Sequence, residues 1–78
     1  MMKAITITEI NRQGSNGRYT VSGPVGQGGR RHVSECRDAG DAAALAVQYA
    51  HGNIVGPYVI LGSERVLNLI PQELRMRR

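Results

Sequence analysis

Tryptophan and phenylalanine are missing from this sequence of 78 residues, and tyrosine occurs three times. A core without those large rings must be assembled from Ile, Val, Leu and Ala, and few flat surfaces remain on which unpaired bases could stack. Cysteine occurs once, at Cys36. That excludes an internal disulfide, and with His32 and His51 counted the chain still lacks the four ligands of a structural zinc site. Small secreted domains are normally stapled by several bridges, so an unstapled chain is expected in a reducing cytoplasm. No apolar stretch approaches the roughly 20 residues that span a bilayer. Met1-Met2-Lys3 leads into alternating Ile and Thr, so neither a membrane span nor a secretory leader is expected.

Lysine is nearly absent too. Lys3 stands against nine arginines, and with six acidic residues the net charge is +4. Guanidinium offers a rigid fork of donors that suits carboxylate or phosphate partners. The same excess also follows from a GC-rich coding sequence, which favours arginine codons without a functional cause. At 41% hydrophobic residues the composition is that of an ordinary globular fold, and the length suits one domain, residues 1–78.

What is present reads as short elements. Ile5-Thr6-Ile7-Thr8 has the period-two alternation of a half-buried strand running to Ile10. The turn cluster 13–17, with its Asn16-Gly17 hairpin signal, leads to a second strand, Arg18 to Ser22, that buries Tyr19 and Val21. Four glycines and a proline between 23 and 29 predict a flexible loop. Arg30 to Cys36 then forms a third, exposed strand with Val33 its most inward residue. Asp41 is the expected N-cap of an alanine-rich helix that ends at Gly52. Leu45 and Tyr49 share its apolar face with Ala42 and Ala46. Tyr58 to Leu61 and Arg65 to Ile70 read as strands, Pro71 opens one helical turn, and residues 75–78 form a frayed basic tail. The expected architecture is α+β in the order β-β-β-α-β-β, an antiparallel sheet of about five strands packed against one helix.

The chemistry of catalysis is hard to find. His32 and Cys36 lie four apart on one strand face, which separates them by about 13 Å, too far for a nucleophile and its base. Cys36 reads as an ordinary buried small residue. The carboxylates are scattered, and capping accounts for the Asp38 and Asp41 pair. Gly26-Gln27-Gly28-Gly29-Arg30-Arg31 sets glycines beside arginines, yet it leads into a strand and not into a helix with a Lys-Ser/Thr pair, so it is no nucleotide loop. No enzyme, metal, cofactor or small-molecule ligand is expected. The arginine clusters leave open a small basic nucleic-acid-binding accessory protein of a phage or mobile element, although the helix lacks base-reading side chains.

The carboxy-terminal third says more. Pro57-Tyr58-Val59-Ile60-Leu61-Gly62-Ser63-Glu64-Arg65-Val66-Leu67, followed by Ile70-Pro71-Gln72-Glu73-Leu74-Arg75, resembles the tail of a small phage-encoded anti-CRISPR family acting on type I-F surveillance complexes. The likeness extends back through Asp41-Ala42-Ala43-Ala44 and more loosely to Ile7-Thr8-Glu9. It is weakest from Gly26 to Arg31. The resemblance implies a stoichiometric inhibitor in the host bacterial cytoplasm that docks on a Cascade/Csy-type effector complex, together with its bound DNA. A net charge of +4 excludes imitation of DNA, since a mimic of phosphate must be acidic. It favours an acidic protein patch or bound phosphates as the target, and loss of nuclease-helicase recruitment as the outcome. Ser63, Glu64 and Arg65, at the exposed tip of the matching segment, are contact candidates. Arg65 ranks first with Arg30 and Arg31, ahead of Arg75 and Arg77 in the tail.

Overall fold

The computed structural model describes residues 3–10, 18–25 and 30–78. The alternating Ile/Thr run forms β1 (Lys3–Ile10), at the centre of a five-stranded sheet whose order is β3-β2-β1-β4-β5. β2 (Arg18–Val25) pairs antiparallel with β1 on one side and with β3 (Arg30–Cys36) on the other. Alternation sends Ile5, Ile7, Tyr19, Val21 and Cys36 to one buried face, as period-two geometry requires. Gly23, Pro24 and Val25 extend β2 and do not form a loop. Pro24 pairs with Arg31 beyond the last β1 partner, Ser22, so its missing N–H breaks no ladder there. The Asn16-Gly17 turn and the glycine run 26–29 lie outside the described residues.

The helix α1 (Ala39–Asn53) covers the buried face. It starts three residues earlier than expected, because Asp38 and not Asp41 is the N-cap. Asp38 is extended at φ −150°, and its Oδ1 accepts the Asp41 N–H at 2.8 Å. Asp41 falls in the first turn, where a carboxylate suits the positive helix end. Ala42, Ala46 and Ala50 are fully enclosed, and these small side chains let the helix axis lie close to the sheet. The helix also runs through Gly52 to Asn53, past the expected stop.

α1 crosses over to β4 (Tyr58–Gly62), which pairs with β1 in parallel, from Lys3↔Tyr58 to Ile7↔Gly62. The sheet is therefore mixed, with one parallel pair among otherwise antiparallel neighbours. A helical crossover is the usual way to bring two parallel strands side by side. Gly62 closes β4 at φ +123°, where an added Cβ would overlap the Ile7 carbonyl oxygen. Glycine is thus required by both backbone and space.

The stretch 65–70 is not a strand. α2 (Glu64–Leu67) begins after Ser63, whose carbonyl accepts from Val66 and Leu67 at 3.2 and 2.9 Å. Val66 and Ile70 are buried while Asn68 is exposed. A strand that turned Val66 and Ile70 inward would have buried Asn68 with them. A 3₁₀ turn (Gln72–Leu74) follows Pro71 as expected. The frayed tail is replaced by β5 (Met76–Arg77), paired antiparallel with β4. Among the described residues no helix is long and apolar enough to cross a membrane.

Candidate functional site

The parallel β1–β4 pairing sets the carboxyl ends of two central strands side by side. The ladder continues one step past Gly62, as the Ser63 N–H donates to the Ile7 carbonyl at 3.1 Å. The chain then turns sharply into α2 and leaves a cleft of about 840 Å³ between that turn and the end of β1. Thr6, Thr8 and Glu9 of β1 line it together with Ser63, Glu64, Arg65 and Asn68 from the turn and α2. Three of the expected contact residues, Ser63, Glu64 and Arg65, are therefore neighbours in one place.

The cleft is wide, shallow and lined by hydroxyls and charges, unlike the enclosed apolar cavities that bury small ligands. Arg65 reaches toward Glu9, with 3.9 Å between Nη1 and Oε1, and its side chain stays 71% exposed. So loose and hydrated an ion pair contributes at most about 1 kcal/mol. Its guanidinium is free to exchange Glu9 for a better-placed carboxylate or phosphate. Among the described residues no group of three His, Cys, Asp or Glu could hold a metal ion.

The other expected contact residues are not brought to this cleft. Arg31 lies across the sheet face that α1 leaves uncovered. Its Nε donates to Ser22 Oγ at 3.2 Å, and its Nη2 reaches the carbonyls of Ser22 and Ala4 at 3.3 and 3.4 Å. Arg30 opens β3, and its side chain lies outside the described residues. Arg75 and Arg77 are half-buried and serve the fold. Arg75 Nε donates to the Ile70 carbonyl at 2.9 Å. Arg77 donates to Gly56 and Ile54 carbonyls at 2.9 and 2.7 Å and stacks 5.0 Å above the Tyr58 ring. The Tyr58 hydroxyl in turn donates to the Leu74 carbonyl at 2.9 Å, so His51 Nε2, at 3.3 Å, must be the donor to it.

Glu9 and Asn68 were not foreseen as site residues. For Glu9 the available signal was the pattern of strand, long helix and apolar strand from β3 to β4, which favours a crossover and a parallel pair; Asn68 follows from the helical turn α2. Cys36 is buried, as expected of a small apolar residue. Burial pushes its thiol above the ordinary value, and the Asp41 and Asp38 carboxylates push the same way. The thiolate needed for nucleophilic attack is thereby disfavoured.

Fold and cleft together define a small α+β domain with one helix on one face of a mixed five-stranded sheet. No family model matches the sequence, and a search of curated proteins finds no match.

Proposed function

We propose that this chain is an anti-CRISPR inhibitor that docks on a bacterial type I CRISPR surveillance complex, of the I-F kind, in the host cytoplasm. One observation supports this above the others. The segment that resembles that family, Pro57 to Arg75, is the segment that turns at Gly62 and builds one wall of the cleft, with Ser63, Glu64 and Arg65 in its lining. A macromolecular partner suits a shallow, open cleft beside an exposed arginine better than a buried small ligand does. At net charge +4 the chain does not imitate DNA. It meets an acidic protein patch, or phosphates of DNA already held in the complex, and keeps the nuclease-helicase from being recruited.

The test mixes the purified chain with the surveillance complex, with and without target DNA, and follows co-elution, retained DNA and nuclease-helicase binding. The expected result is a stoichiometric complex that keeps its DNA and no longer binds the nuclease-helicase. Failure to co-elute in either state would end the proposal. Tight binding to free DNA at low salt, with no affinity for the complex, would establish the nucleic-acid-binding accessory protein in its place.

A further inference from the structure

The two edges of the sheet are finished differently. On one side β5 is two residues long, a common way of blunting an edge. On the other, β3 presents seven consecutive strand residues, Arg-Arg-His-Val-Ser-Glu-Cys, paired among the described residues on its inner side alone. Arg31, His32, Val33 and Glu35 are exposed, and Val33, far from turning inward, is 62% exposed on the uncovered sheet face. β3 contains no proline, and in an antiparallel ladder every second residue turns its N–H and C=O away from β2. An unpaired row of this length is a template for another strand.

The order of charges along this edge selects the occupant. Arg31 and Glu35 flank Val33 at equal distances and on the same face as it. A second copy of β3 laid antiparallel about a twofold axis at Val33 would place Val33 against Val33, and each Arg31 opposite the other copy's Glu35. The same register sets His32 opposite Ser34. No like charges face each other among these pairs. Self-complementarity about a twofold axis is the defining requirement of an isologous interface. We infer that β3 pairs antiparallel with β3 of a second copy of this chain, joining two sheets into one continuous ten-stranded sheet.

Existing contacts permit this. Arg31 holds Ser22 and the Ala4 carbonyl through Nε and Nη2, and Nη1 is not engaged in those bonds. Glu35 pairs with Arg18 at 2.9 Å, with both side chains about half exposed. A carboxylate can accept from two guanidinium groups at once. Among the described residues, none of β3 lines the β1–β4 cleft, so the interface stands or falls independently of the function proposed for that cleft.

The test is analytical ultracentrifugation of three chains, namely wild type, Arg31→Glu and Glu35→Arg, each checked for an unchanged circular dichroism spectrum. Wild type is expected to shift from monomer toward dimer as concentration rises into the millimolar range. Each reversal puts like charges opposite one another in both outer pairs and is expected to weaken dimerisation about tenfold or more. An equimolar mixture of the two reversed chains restores both opposite-charge pairs and is expected to recover a heterodimer. Val33→Lys, at the exposed axis position, is expected to keep the fold and lose the dimer. A wild type that stays monomeric throughout the range overturns the inference. So does a dimer that the reversals leave intact, or a mixture that recovers nothing.

Discussion

Arg65 and Arg77 carry the same charge and neighbour the same strand, yet the fold uses them in opposite ways. Arg77 spends its donors on the carbonyls of Ile54 and Gly56 and lays its guanidinium over Tyr58. It closes the link between α1 and β4 from outside, and Arg75 does the same for the turn at Ile70. Among the described residues Arg65 has one partner, at the outer limit of ion-pair distance, and its side chain is mostly exposed. A basic residue count treats these arginines alike. The difference is in their unspent donors, because a guanidinium already holding backbone carbonyls has little left for a partner.

That contrast can be broken by mutation. The largest effect is expected for Arg77→Ala, which leaves two carbonyls without their charged donor and strips the Tyr58 ring. A loss of about 2–3 kcal/mol in urea-melt stability should follow. Arg75→Ala removes one such bond and should cost about 1–2 kcal/mol by the same measurement. Arg65→Glu is expected to shift the melt by about 0.5 kcal/mol or less, as exposed substitutions do, while lowering affinity for the proposed partner, the surveillance complex, about tenfold or more. If Arg65→Glu proved as destabilising as Arg75→Ala, the division between structural and available arginines would collapse. If Arg77→Ala melted like the wild type, it would collapse from the other side.

Much of the fold was legible because local pattern and burial coincide in it. Ile5 and Ile7, Tyr19 and Val21, and Tyr58 and Ile60 alternate and are buried in alternation. The alanine helix carries its own propensity and a nearby Asp to cap it. What was not legible depends on distant partners. Nothing local to Ile5 states that its neighbour will be Ile60 in parallel. The run Arg65 to Ile70 is apolar enough for a strand, and the exposed Asn68 between buried Val66 and Ile70 is a small clue against a two-residue period. By sequence the tail reads as free because arginine is usually solvated, and only the carbonyls left over at Ile54, Gly56 and Ile70 explain why Arg75 and Arg77 are captured. Of the candidate site, Ser63, Glu64 and Arg65 came from the sequence. Glu9 came from the crossover that sets β1 beside β4, and Asn68 from the helical turn of α2.

The parallel pairing of β1 with β4 also sets an order of events in folding. β1, β2 and β3 can assemble as a local meander, since each pairs with a neighbour in the chain. β1 nevertheless belongs at the middle of the finished sheet, and its second partner is made of residues 58–62. Until α1 has crossed over and delivered β4, the Ile-Thr-Ile-Thr strand stands as an open edge with Ile5 and Ile7 incompletely covered. Contacts this distant in sequence form slowly, because loop closure must precede any gain from them. During that interval the molecule's most adhesive surface is its future centre. A chain cut before Tyr58 would keep that surface permanently, and aggregation of such a fragment is the expected result.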